Sequence, residues 1–271
     1  MTGLGRLYLE PLHLGLLDSP IESAEMFTPQ YRHQLREDLI AAAGKDKRIT
    51  GVAVTGSAAL GNEDAWSDVD LAFGIGEPGS LQVALADWTD LMYRDHGAKH
   101  HLDVVTGGTI FRVFLLANTL QVDLAFSPAA EFGALAPSFR LLFGTSVDRT
   151  PPAPPTPEYF IGYAWLYALH ARSCIQRGKL WQGEYMISAV RDHVLALACR
   201  RLNLPSGQGR GMDQLPAAVT EPLEAALVRA LEPSELRRAF AVVIDGLVRE
   251  VRRVDVALAM RIEGPLMELS T

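Results

Sequence analysis

Between Val54 and Phe73 an apolar run ends in Gly56-Ser57, ten residues intervene, and a second apolar run opens on Asp68-Val69-Asp70. Side chains alternate along a strand, so Asp68 and Asp70 leave the same face a few ångströms apart. Two carboxylates held that close repel each other, and a chain that folds this way commonly does so to hold a cation. Gly56-Ser57 lies where a strand gives way to a helix. Its free backbone N–H groups and one hydroxyl suit an anion such as phosphate. A cation site beside a phosphate site is the signature of a nucleotide–metal complex. A third acid, Asp123, stands alone inside the strand-like run Leu120-Gln121-Val122-Asp123-Leu124-Ala125-Phe126.

Gly-Ser, ten residues, Asp-x-Asp and a later strand aspartate together resemble the DNA polymerase β-like nucleotidyltransferase superfamily, over roughly residues 35–135. The resemblance implies that Asp68, Asp70 and Asp123 are catalytic and hold two Mg²⁺ ions. Asp68 and Asp70 would bridge both, and Asp123 would sit on the one that serves the acceptor hydroxyl. It also implies that Gly56, Ser57 and Ser67 meet a nucleoside triphosphate, ATP by preference. Three oxygen donors beside a triphosphate suit Mg²⁺, which retains water and takes few protein ligands.

Composition limits the partners. Of 271 residues, 48% are hydrophobic and 21% charged, as in a globular chain. No apolar run reaches the ~20 residues of a membrane span. Met1-Thr2-Gly3-Leu4-Gly5-Arg6 lacks a charged segment followed by a long apolar core, so a cytoplasmic location is expected. Cys174 and Cys199 have no metal-ligand spacing and read as buried free thiols. Residues 1–150 hold 11 basic and 19 acidic side chains, against 14 and 13 in 151–271. An enzyme tracking a nucleic-acid backbone needs a basic stripe, and none is present. The expected acceptor is therefore the hydroxyl of a small molecule, with neither nucleic acid nor membrane as partner, acted on by a monomer or homodimer.

The run Pro151-Pro152-Ala153-Pro154-Pro155-Thr156-Pro157 excludes helix and central strand and divides the chain into 1–150 and 151–271. Thr28-Pro29 reads as the cap and first residue of a helix reaching Ala43. Strands are expected near 49–56, 68–75, 101–106, 111–116 and 120–126, with a helix near 80–96 and helical material near 130–143. The fold class is α+β: a mixed-sheet nucleotidyltransferase domain with helices on one face, then an all-α bundle for substrate binding or dimerisation. Tyr159–Arg177 is apolar almost all round, as a central bundle helix would be. Leu236, Phe240, Val243, Leu247, Val251, Val254 and Leu258 form one unbroken stripe, predicting a single helix over Ser234–Arg261. A nucleotidyltransferase domain followed by a bundle resembles the kanamycin nucleotidyltransferase group, which acts on aminoglycoside and lincosamide antibiotics.

On the helix starting near Trp181, Glu184, Ser188, Arg191 and Asp192 share one face, while Met186, Val190, Val194 and Leu197 share another. The polar stripe reads as solvated surface. The resemblance implies instead a bundle glutamate acting as general base, for which Glu184 is the candidate. Lys179, Arg191 and Arg210 are either candidate cations for the triphosphate or ordinary surface cations. Gly74-Ile75-Gly76-Glu77-Pro78-Gly79 imitates a dinucleotide fingerprint, but its strand already carries the aspartates and Pro78 occupies a needed helical turn. His96, His100 and His101 have helical spacing broken by an expected strand, against a zinc site. The alternative function is a nucleotide-binding or protein-nucleotidylylating antitoxin or regulator. The related helical ribonucleases carry an arginine ahead of a histidine, and neither His170 nor His193 has one four to six residues upstream.

Overall fold

The structure is a computed structural model and describes residues 26–76 and 80–270. The readings made on Met1–Arg6 and on Glu77-Pro78-Gly79 lie outside the described residues. The chain forms two compact units, Met1–Pro152 and Ala153–Thr271, and the boundary falls within the proline-rich run.

The first unit is built from α1 (Pro29–Ala43), β1 (Ile49–Thr55), α2 (Gly56–Leu60), β2 (Val69–Ile75), α3 (Ser80–Asp95), β3 (Ala98–Thr106), β4 (Thr109–Leu116), β5 (Gln121–Pro128) and β6 (Phe139–Gly144). The Thr28 hydroxyl accepts the Tyr31 N–H at 3.1 Å and Pro29 follows, so α1 starts at the expected cap. The strands form one six-stranded sheet in the order β3-β4-β5-β2-β1-β6, in which only β2 and β5 run parallel.

Period-two alternation gives this sheet two unlike faces. Val52 and Val54 of β1, Leu71 and Phe73 of β2, and Leu124 and Phe126 of β5 are at most 1% exposed and pack against Leu35 and Leu39 of α1 and Trp88 and Met92 of α3. Each such side chain contributes roughly 1.5–3 kcal/mol by leaving water. The opposite face is made of small residues, Ala53, Ala72 and Ala125, under the Phe132 ring. A β-carbon on Gly74 would come within 2.8 Å of that ring, so glycine is what lets Phe132 lie on the sheet. Helices therefore cover one face, and the other stays thin enough to approach.

The helical material expected near 130–143 is instead a single 3₁₀ turn at Ala129–Glu131 followed by strand β6. Phe139–Gly144 pairs antiparallel with β1, whose backbone groups on that side would otherwise be unpaired. Tertiary pairing overrides local preference here.

The second unit holds α4 (Pro157–Gln176), α5 (Leu180–Arg201), α6 (Ala217–Glu224), α7 (Pro233–Val254) and α8 (Val256–Leu269) around one core that includes Ile187, Val190, Leu236, Phe240 and Leu247. Two expectations are corrected. The stripe from Leu236 to Leu258 is split, because Asp255 leaves helical geometry (φ −145°, ψ 101°) and its carboxylate caps α8 by accepting the Leu258 N–H at 2.8 Å. Helix α4 is not buried all round. Phe160, Ala164, Ala168 and Ala171 face the core, while Tyr159, Tyr163, Trp165 and Leu169 are exposed. Cys174 and Cys199 are buried and unpaired. No helix among the described residues is long and apolar enough to cross a membrane.

Candidate functional site

Strands β2 and β5 lie side by side in parallel with Asp70 directly opposite Asp123, so both leave the small-residue face. Asp68 stands just before β2. Carboxylate oxygens of Asp68, Asp70 and Asp123 all lie within 4.8 Å of one another, and each residue is half-buried. Among the described residues no lysine or arginine forms an ion pair with Asp68 or Asp123. Burial, reinforced by the charge of Asp68, pushes the Asp123 carboxyl up to about 6. Its two oxygens accept from Gln121 Nε2 at 3.0 and 3.2 Å, which acts in the other direction.

Strand β1 ends against this cluster. Gly56 turns the chain into α2 with φ +62°, and a β-carbon there would stand 1.9 Å from Asp70 Oδ2. Both the left-handed backbone and the close approach require glycine. The next residue, Ser57, carries a buried hydroxyl oxygen with no hydrogen-bond partner. A buried polar atom left unpaired in this way is costly unless a ligand answers it.

The loop between α2 and β2 is pinned to α1. Arg32, 5% exposed, donates from Nη1 to the Asp64 carbonyl at 2.6 Å and to the Ser67 carbonyl at 3.1 Å. Its Nε lies 3.2 Å from Glu63 Oε1, an ion pair without hydrogen-bond alignment, and Arg36 Nη1 reaches the same oxygen at 2.6 Å. Within the loop Asp64 Oδ1 accepts the Trp66 N–H at 2.8 Å, which holds its carboxyl below the usual range. The Ser67 hydroxyl is occupied twice by Asp64, accepting its N–H at 2.9 Å and donating to Oδ1 at 3.1 Å. Ser67 thus shapes the loop that delivers Asp68. Arg32 was not singled out from the sequence, although it continues the buried stripe of Leu35, Leu39 and Ala43 on α1. An arginine on an apolar stripe is the available signal.

A cavity of about 180 Å³ adjoins the carboxylates on the same face. Asp70 and Asp123 form part of its wall, with Phe111, Phe132, Phe139 and Arg149. Thr109 and Ser127, also in the wall, share a buried hydrogen bond of 2.8 Å. Arg149 was likewise not anticipated.

The remaining candidates lie in the second unit. Glu184 and Ser188 meet on α5, where Glu184 Oε1 accepts the Ser188 hydroxyl at 2.6 Å. Arg191 is paired with Asp192 at 3.0 Å. Lys179 is exposed at the start of α5, and the Arg210 carbonyl accepts from Gln214 Nε2 at 3.3 Å. Met186, Val190, Val194 and Leu197 turn to the core as expected.

No protein-family model matches this chain, and no curated protein matches it. Among solved structures, an aminoglycoside 6-adenyltransferase from Bacillus subtilis is similar over 90% of this chain and 99% of that one, with 13% identity and a TM-score of 0.39. At those values the likeness carries no functional argument.

Proposed function

We propose that this protein is a metal-dependent nucleotidyltransferase, moving a nucleoside monophosphate, by preference AMP, from a triphosphate to the hydroxyl of a small molecule. The observation that carries the reading is the meeting of Asp68, Asp70 and Asp123 within 4.8 Å, pressed against a glycine that nothing larger could replace. The spacing of the Gly-Ser and Asp-x-Asp segments supports it.

The residues suit divalent metal. Three hard oxygen donors crowd together, Asp68 and Asp123 have no cation among the described residues, and burial, with a smaller part from Asp68, raises the Asp123 carboxyl. Bound Mg²⁺ would supply charge neutralisation for the triphosphate and for the entering oxygen. In this reading Asp68, Asp70 and Asp123 would hold the metal, with Asp123 serving the acceptor side. Gly56 leaves room for the phosphates and the unpartnered Ser57 hydroxyl donates to one of their oxygens. Ser67 contributes by fixing the loop, and Lys179 and Arg191 are assigned to the triphosphate. The acceptor oxygen bonds to the α-phosphorus as the bond to the bridging oxygen breaks. Pyrophosphate leaves with that electron pair, and the hydroxyl proton passes to Glu184 as general base. Taken alone, the sequence resemblance implies an aminoglycoside-like acceptor; the wall of the cavity argues for a different small molecule, and the protein is read as a cytoplasmic monomer or homodimer.

The test is transfer itself. The full-length protein is incubated with Mg²⁺ and ATP or GTP together with aminoglycosides, lincosamides and cell extract, and products are read by mass spectrometry. Nucleotide-shifted small molecules are expected, absent with Asp68→Asn and Asp70→Asn. A modified polypeptide would replace the small-molecule acceptor with a protein. Transfer that survives either substitution would remove the carboxylates from the chemistry.

A further inference from the structure

The cavity beside the carboxylates has a composition that the proposed reaction does not by itself require. Its wall carries the rings of Phe111, Phe132 and Phe139, with Phe132 and Phe139 edge to face at 5.5 Å. Among the described residues that line it the one basic side chain is Arg149, half-buried, which forms no hydrogen bond or ion pair with any described residue. The other buried or half-buried arginines discussed so far have a carbonyl or carboxylate: buried Arg32 has both, and half-buried Arg36 and Arg191 each have an acid. A guanidinium beside apolar rings and without an anion is a recognition element awaiting one, because its planar fork matches carboxylate and phosphate oxygens.

Size narrows the occupant. An apolar cavity of about 150 Å³ accommodates benzene, so about 180 Å³ takes one substituted ring, and any further linked rings would lie outside it. Charge narrows it further: Asp70 and Asp123 share this wall, and with metal neutralising them in the proposed reading Arg149 would be its uncompensated charge, favouring an anion over a polycation. Position identifies its part in the reaction. Asp70 and Asp123 line the cavity while Gly56 and Ser57, the residues assigned to the phosphates, do not.

We propose that this cavity seats the acceptor, and that the acceptor is a single-ring hydroxyl compound bearing a carboxylate or phosphate that Arg149 holds, rather than a polycationic antibiotic. The proposal rests on the nucleotidyl-transfer reading and names the substrate class of that same site. Aromatic walls select the ring, Arg149 fixes the anionic end, and the hydroxyl is left for the aspartate end of the cavity.

The experiment uses the full-length protein with Mg²⁺ and a non-hydrolysable ATP analogue. The probes are 4-hydroxyphenylacetate, 3-hydroxybenzoate and 4-hydroxybenzyl phosphate, with 4-hydroxyphenylacetamide as the uncharged control and kanamycin as the polycation. Calorimetry is expected to show binding of at least one anionic probe, weaker by tenfold or more in Arg149→Gln and partly restored in Arg149→Lys. The amide should bind both proteins alike, and triphosphate affinity should stay within twofold. With ATP, the bound probe should gain a nucleotide. The proposal is overturned if no anionic probe binds, if kanamycin binds and is modified independently of Arg149, or if Arg149→Gln weakens the triphosphate and leaves the probes alone, which would make the cavity a nucleobase seat. Repeating the probe titration without nucleotide separates the two claims. Arg149-dependent probe binding alongside metal-independent triphosphate binding would sink the transfer reading and keep the anionic ligand.

Discussion

Glu250 on α7 is 2% exposed and is met by two arginines, Arg201 Nε at 2.5 Å and Arg253 Nη1 at 3.0 Å. Asp68 and Asp123 are less deeply buried, yet no described lysine or arginine pairs with either, and a third carboxylate sits within 4.8 Å of both. The first arrangement is complete within the chain: a desolvated charge is answered by opposite charges and serves packing. For the second no described residue supplies that charge, and in the proposed reading a bound cation does. In the proposed reading, what separates the two arrangements is the source of the compensating charge, not the degree of burial. Glu184 is a third case, half-buried and answered by the Ser188 hydroxyl rather than by a cation.

Glu184 offers the largest expected effect. As general base, its replacement in Glu184→Gln should lower kcat by roughly 10²–10⁴ with triphosphate affinity nearly unchanged. Steady-state kinetics matching the parent would place Glu184 on the solvated face and leave the comparison with only two cases.

Glu250→Ala comes next. It strands Arg201 and Arg253, and urea denaturation should show a loss of about 3 kcal/mol, with transfer per folded molecule unchanged. A loss in Asp68→Asn as large as that in Glu250→Ala would erase the contrast, because removing one of three crowded like charges should leave stability unchanged or raise it slightly.

The smallest effect concerns pH. The folded chain raises Asp123 to about 6 from 3.8, so it binds that proton more tightly than the unfolded chain does. The group therefore stabilises the metal-free fold below about pH 4, and this contribution is lost as pH rises through 6. Asp123→Asn does not titrate and should gain on the parent between pH 4 and 7, by about 1 kcal/mol once solvent screening of a half-buried group is allowed for. Melting curves of both metal-free proteins across that range would show it. Parallel curves would mean that Asp123 is not crowded in solution.

Strands β2 and β5 and their aspartates were legible because period-two alternation is local and survives into the fold. The Thr28 cap was legible for the same reason. Strand β6 was not, since Phe139–Gly144 becomes a strand only by pairing with β1. The break at Asp255 was hidden because the apolar stripe keeps helical spacing across it while the cap acts at one residue. Arg32 and Arg149 were missed for a common reason. An arginine's role depends on what the folded chain places around it: the loop carbonyls of Asp64 and Ser67 in one case, and an apolar wall in the other.

The claim that the aspartates await a metal is tested by titrating ATP, and separately GTP, into the full-length protein by calorimetry, once with Mg²⁺ and once with EDTA. Binding at least tenfold tighter with Mg²⁺, about 1.4 kcal/mol, is expected, because without metal the three carboxylates repel the triphosphate. Equal affinity under both conditions would contradict it and would mean that Asp68, Asp70 and Asp123 face something other than a nucleotide–metal complex.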